Sequence, residues 1–276
     1  MSEQRTHSIT TTDGVSIGGT VHGQGSPVVF LPGGFGDADL DWRAVLPHVS
    51  DRFTCFLPSL RGRGLSDPHP DLGLHRLVED LVAFVESLGE PAGLVGWSAG
   101  GMVLTVAAQS EAVDAVAAFE PTLFGLLDDQ ERASLGEAVA GMRALAADGD
   151  LTGAARAFLG FAFNAEELAI ADEAGYFQTA GRYVPTLLEQ LPQTMQSPGP
   201  EPDDPAVLGA ISAPVLVVHG TETRRVFVAG AKHVTDHVAD AALREIPGAG
   251  HAAPLTHPEA LAEVFAEFFA PPPAAG

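Results

Sequence analysis

The sequence predicts an α/β fold: a mostly parallel, twisted sheet with helices on both faces and a helical segment inserted into it. Three observations predict this. Short apolar runs at 27–31, 53–57, 92–95, 115–119 and 214–219 alternate with amphipathic stretches of helix length. Buried parallel strands read as near-continuous apolar runs of this kind. Several of the runs end in glycine-rich loops, at the edge of an open α/β sheet where ligands bind. Between Pro121 and Pro205 the strand signal stops and helical periodicity takes over.

Taken in order, 6–11 and 15–21 alternate apolar and polar residues around Asp13-Gly14, which predicts an antiparallel hairpin at one sheet edge. The strand at 27–31 runs into Pro32-Gly33-Gly34-Phe35-Gly36, a loop richer in glycine than a connector needs. A helix is expected at 40–49 and a strand at 53–57, followed by Arg61-Gly62-Arg63-Gly64-Leu65-Ser66. Over 74–88, Leu77, Leu81, Val82, Val85 and Leu88 share one helical face. The strand at 92–95 leads into Gly96-Trp97-Ser98-Ala99-Gly100 and a helix at 102–109, and the strand at 115–119 ends in Glu120-Pro121. Helices are expected at about 128–147, 152–163 and 166–191, and the proline-rich tract 197–205 leads back to the sheet. A strand at 214–219, a helix at 226–238, a strand at 243–246 and a helix at 258–269 complete the pattern. This divides the chain into a core, 1–121 and 206–270, a helical cap, 122–205, and a tail, 271–276, expected to be disordered.

The 276 residues are 46% hydrophobic, enough for one large domain. With 36 acidic against 14 basic side chains the net charge is −22. Such a surface repels nucleic acid and anionic membranes, so neither is expected as a partner. The acidity serves solubility on this reading. Cys55 is the lone cysteine; it sits in an apolar strand and reads as a core packer. A polar N-terminus without an apolar signal region, and no apolar stretch of about 20 residues, lead us to expect a cytoplasmic protein with no membrane span. The ten histidines form no metal-type cluster, and no cofactor is expected. The expected partner is a small-molecule substrate, and a homodimer is compatible with the reading.

Strand, G-x-S-x-G, helix is the setting of a nucleophile elbow, a strained turn that exposes the serine hydroxyl above a sheet. Ser98 occupies that position, and the Ala99 N–H at the helix start faces any charge developing beside it. A serine hydroxyl needs a base, and the base needs an orienting group. His251 is the candidate base, because it follows a strand and the glycine-flanked Gly248-Ala249-Gly250. Arg61 and Arg63 read as loop structure, since no phosphate-binding pattern accompanies them. The cap aromatics Phe158, Phe161, Phe163, Tyr176, Phe177 and Tyr183 either line an apolar pocket or form the cap's own core.

The order of Gly33-Gly34, Arg61-Gly62-Arg63-Gly64-Leu65-Ser66, Gly96-Trp97-Ser98-Ala99-Gly100 and Gly250-His251 resembles the α/β-hydrolase superfamily over nearly the whole chain. The resemblance implies an α/β-hydrolase fold with an eight-stranded sheet, Ser98 and His251 as catalytic residues, and Gly34 with Ala99 as the oxyanion-hole donors. Phe35 is the alternative to Gly34. Serine at 98 argues against the epoxide hydrolase and haloalkane dehalogenase branches, which use a carboxylate nucleophile. Two positions depart from the pattern: Ser59 and Thr223 stand where many relatives carry aspartate, the latter being the usual catalytic acid. The acid is therefore sought elsewhere. Glu120 ends the strand after the elbow helix, on the same side of the sheet as Ser98, and is our choice; Glu222, beside the usual position, is the rival.

Pro32-Gly33-Gly34-Phe35-Gly36, Glu120-Pro121-Thr122 and Gln193-Thr194-Met195-Gln196-Ser197-Pro198 are similar to the zearalenone lactonases, whose acid is a glutamate. Leu187 stands near the cap position where that group presents a tryptophan to its substrate. Substrate contacts are expected from Phe35, Trp97, Leu187 and Tyr183. The expected reaction is hydrolysis of a carboxylic ester or lactone of an apolar small molecule through an acyl-enzyme. The alternatives are another reaction on this fold (C–C bond hydrolysis, perhydrolysis, a lyase or a cyclase) or a non-catalytic ligand receptor.

Overall fold

Eight strands form one sheet: β1 (Arg5–Thr10), β2 (Ser16–Gly23), β3 (Ser26–Leu31), β4 (Phe53–Pro58), β5 (Ala92–Trp97), β6 (Val113–Phe119), β7 (Val215–Gly220) and β8 (Ala241–Ile246). The computed structural model describes residues 5–270, so the tail expected at 271–276 lies outside the described residues. The strand order is β1-β2-β4-β3-β5-β6-β7-β8. β1 pairs with β2, and β2 with β4, in antiparallel fashion; every other neighbour pair is parallel. The β1–β2 hairpin lies at the predicted edge, with Gly14 at φ 85 in its turn. That angle is open to glycine at little cost.

Side chains alternate between the two faces of the central strands. Val29, Leu31, Leu94, Val116, Ala118, Val215 and Val217 pack on one face, with α2 (Leu74–Glu86), α3 (Val103–Gln109) and α10 (Arg225–His237). Val28, Phe30, Val95, Trp97, Ala117, Phe119, Leu216 and Val218 pack on the other, with α1 (Ala38–Trp42) and α12 (Pro258–Phe268). Burying each large apolar side chain contributes roughly 1.5–3 kcal/mol. The doubly covered sheet is therefore the main source of stability.

Between β6 and β7 lie α4 (Asp129–Ala147), α5 (Leu151–Leu159), α6 (Ala165–Glu173), α7 (Tyr176–Ala180), α8 (Val184–Met195) and the short α9 (Pro205–Gly209). The single helix expected at 166–191 is three helices. Gly175 at φ 70 ends the first and admits the turn into the second. The helix expected at 40–49 is also shorter. Asp37 accepts from Leu40 N and starts α1 early, and the chain continues as a 3-10 turn, Leu46–His48, carrying Pro47. Proline has no N–H for an α-helical ladder. A 3-10 turn, Ser98–Met102, precedes α3, and α11 (Ala253–Thr256) follows His251. Cys55 is fully buried, and burial pushes its thiol up to about 12, consistent with a packing role.

Candidate active site

Ser98 leaves β5 with φ 56, a left-handed conformation that costs a non-glycine residue on the order of 1–3 kcal/mol. The turn closes because Gly96 lacks a side chain: a Cβ there would stand 2.1 Å from Gly100 O. Among the described residues the other non-glycine with positive φ is Glu120, at 44°. Both expected functional positions thus hold strained backbone at the ends of adjacent parallel strands, β5 and β6.

Glu120 is fully buried. Its Oε1 accepts from Gly220 N at 2.9 Å, and its Oε2 accepts from Thr223 Oγ1 at 2.8 Å. The same Oε2 lies 2.7 Å from His251 Nδ1. A buried carboxylate is an acceptor here, so Nδ1 carries the ring proton and Nε2 is left with its lone pair. Nε2 is buried and makes no hydrogen bond among the described residues. Phe227 stacks on the imidazole at 4.0 Å between ring centroids, and Trp97 and Phe163 tilt against it. Trp97 Nε1 donates to His251 O at 2.8 Å. The loop after β8 is therefore held at both its backbone and its ring. Glu222 is exposed and does not reach the imidazole.

The Ser98 hydroxyl does not meet His251. It pairs with Thr122 Oγ1 at 3.2 Å, and Thr122 N donates to Ser98 O at 2.9 Å. Ser98, Ala99, Gly34 and Thr122 line a cavity of about 90 Å³. Its walls come from Phe124, Phe227 and the inserted helices, including Leu135, Phe158, Phe161, Leu187 and Leu191. Of the expected substrate contacts, Leu187 lines it. Phe35, Trp97 and Tyr183 do not: Phe35 packs edge-on behind Phe158, Trp97 is spent on the histidine loop, and the Tyr183 hydroxyl donates to Asp37 at 2.8 Å. Of the aromatics expected in the cap, Phe158 and Phe161 line the cavity, while Tyr176 and Phe177 are core.

Three residues to which the sequence assigned no role support this geometry. Thr223, at the position that departs from the superfamily, donates to the Glu120 carboxylate. Asp41 is fully buried and accepts from Gly33 N at 2.7 Å and from the Tyr176 hydroxyl at 2.7 Å. It ties the Gly33-Gly34 loop to α7, and burial pushes its carboxyl up to about 7. Glu167 accepts from Ala252 N at 2.7 Å, which ties α6 to the residue after His251, and burial raises its carboxyl as well. Asn164 and Glu167 form a capping box, the one local signal at that position; the second oxygen's use is a tertiary contact with no sequence signature.

Known proteins are similar to this chain in sequence or in fold. A 105-residue stretch is 31% identical to a soluble epoxide hydrolase of Corynebacterium sp. (strain C12), covering 37% of this chain and 36% of that protein. An alpha/beta hydrolase from Sphaerobacter thermophilus superposes with a TM-score of 0.75 at 24% identity, over 96% of this chain and 100% of that one. A thermophilic esterase from Thermogutta terrifontis gives a TM-score of 0.75 at 22% identity, over 95% and 97%. At these identities the two structures attest the fold. The model of the alpha/beta hydrolase family matches residues 28–264, from β3 to α12. It spans the elbow, the strand carrying Glu120 and the loop carrying His251, and this chain belongs to that family.

Proposed function

We propose that the chain is a cofactor-free serine hydrolase that cleaves a carboxylic ester or lactone of a mostly apolar small molecule. The observation that carries this reading is the 2.7 Å bond from His251 Nδ1 to buried Glu120, which leaves Nε2 as an unpaired base. Ser98 turns about χ1 from Thr122 to Nε2, as catalytic hydrogen bonds often tighten only with substrate bound. Its Oγ attacks the carbonyl carbon while Nε2 takes the proton. Glu120 holds the ring and stabilises the imidazolium. The N–H groups of Gly34 and Ala99 receive the oxyanion; losing one such donor typically costs about 3–4 kcal/mol of barrier. The C–O bond to the leaving alcohol breaks as Nε2 returns the proton. Water, deprotonated by the same nitrogen, then releases the acid and restores Ser98. In a lactone the alcohol stays attached and the product is a hydroxy acid.

Two features support the substrate class. The cavity is lined mainly by Phe and Leu side chains, which suits an apolar body. Residues 122–205 supply most of that lining and act as the cap in this reading. Serine at 98 suits an acyl-enzyme, in contrast to the carboxylate route implied for epoxide hydrolases.

A panel of p-nitrophenyl esters and macrolactones tests the proposal, with a fluorophosphonate probe alongside. We expect turnover and labelling by the native chain and loss of both in Ser98→Ala. Turnover that survives Ser98→Ala removes the mechanism. The pairing of Ser98 with Thr122 instead of His251 favours a second reading, a non-catalytic receptor on this fold. Ligand binding with neither turnover nor labelling would establish it.

A further inference from the structure

Arg63 is buried to 1% exposure, yet no carboxylate pairs with it among the described residues. Its three bonds go to oxygens that carry no charge: Nε to Phe35 O at 3.0 Å, Nη1 to Arg61 O at 3.3 Å, and Nη2 to Gln190 Oε1 at 2.5 Å. A guanidinium has donors only. It therefore fixes the orientation of the Gln190 amide: the oxygen faces Arg63, and the NH2 is the end left for the cavity that Gln190 lines. An amide whose flip is imposed by a charged neighbour is a directed donor.

Thr194 lies one helical turn further along α8, on the same face. It lines the same cavity, and its Oγ1 is buried with no hydrogen-bond partner. Leu187 and Leu191 complete that stripe. Native proteins rarely leave a buried hydroxyl unmet. Around it the lining is largely apolar, and Ser98 and Thr122 belong to the reacting end.

We propose that Gln190 and Thr194 form a polar subsite on α8 that receives a hydrogen-bond-accepting oxygen of the substrate, carried on its apolar body and separate from the carbonyl that Ser98 attacks. This rests on the hydrolase reading and narrows its substrate class. The preferred compound is an apolar ester or lactone with a second oxygen function, such as a ketone or an ether. A purely hydrocarbon body leaves both groups unpaired, and sites built to hydrogen-bond a substrate group discriminate against analogues lacking it.

The test uses p-nitrophenyl octanoate and a series of p-nitrophenyl oxo-octanoates in which the ketone is moved one carbon at a time. The native chain should show kcat/KM about tenfold above the parent at one ketone position. Thr194→Val and Gln190→Met should each reduce that ratio. Gln190→Glu keeps the bond to Arg63 but presents an acceptor, so it should lose the ketone preference and gain one for the matching hydroxy-octanoate. A flat series in the native chain, or a preference that Gln190→Glu leaves unaltered, overturns the subsite even if the parent ester is hydrolysed. Calorimetric binding of the same esters to Ser98→Ala reads the ratio without turnover. The subsite is thus decided separately from the acyl-enzyme chemistry.

Discussion

Glu120 combines a strained backbone with a carboxylate whose two oxygens receive Gly220 N, Thr223 Oγ1 and His251 Nδ1. Glu120→Gln keeps the size but loses an acceptor and the charge. We expect kcat for a good ester to fall about 10³–10⁴-fold, as for other triads whose carboxylate becomes an amide. Thr223→Val removes one donor to the same oxygen and should cost about tenfold. Equal, small effects in steady-state kinetics would show that neither residue orients the base. Asp41 gives a pH prediction. Its carboxyl moves from the ordinary aspartate value in the unfolded chain to about 7 in the folded one. Between those values the unfolded chain has released the proton and the folded chain keeps it. Its contribution to stability therefore declines as pH rises toward 7, by on the order of 4 kcal/mol, and is level above that. Asp41→Asn keeps an oxygen for Gly33 N and does not ionise. Its melting temperature relative to the native chain should be higher at pH 8 than at pH 5, by roughly 5 °C. A pH-independent difference in thermal unfolding would contradict the assignment of that proton.

At the scale of elements, the strands were legible because each buried run is apolar and ends in glycine or proline. β3, β5, β6 and β7 lie within a residue or two of their expected bounds. The elbow and the histidine loop were legible because their geometry needs glycine at fixed places. Helix boundaries were less so: Gly175 and Pro47 override a continuing apolar period at 166–191 and 40–49. Contacts between distant segments have no local pattern at all. Neither the bond from Thr223 to Glu120 nor that from Ala252 N to Glu167 can be read from spacing. Both yield predictions. Thr223, on the loop after β7, donates to the Glu120 oxygen that meets His251 Nδ1, so a carboxylate at 223 in place of the one at 120 should serve. Thr223→Asp in a Glu120→Ala background should recover at least about tenfold of the lost kcat/KM, a coupling expected between residues in direct contact. No recovery would mean that the β7 loop does not reach the ring. Glu167 joins α6 to the His251 loop, and Glu167→Gln leaves one of its two backbone donors without an oxygen. We expect kcat to fall about tenfold with KM little changed, and the melting temperature to drop; a KM effect alone would place Glu167 in binding instead.

Over the whole molecule the charge is the dominant long-range term. At −22, and with Lys232 the one lysine, the carboxylates greatly outnumber the cations able to pair with them. Much of the basic complement is committed: Arg61 is bidentate on buried Asp80, Arg63 is bonded to Phe35 O and to Gln190 on α8, and Arg225 holds Asp128 and Glu131. The acidic surface therefore repels itself in the folded state more than in the expanded unfolded chain. Salt shortens the reach of that repulsion, from about 30 Å at 0.01 M to about 3 Å at 1 M. The exposed ion pairs lose strength as well, but each is worth at most about 1 kcal/mol, and the excess of like charge outweighs them. The melting temperature should consequently rise by several degrees between 0.01 M and 1 M sodium chloride at pH 8. The rise should shrink at pH 4.5, where part of the carboxylate excess is protonated. Catalysis separates from this effect, because Glu120 and His251 are buried and a buried pair is screened far less than a surface one. If kcat tracked the melting temperature across the salt series, the site would be coupled to the surface field, and an isolated Glu120–His251 pair would be the wrong description.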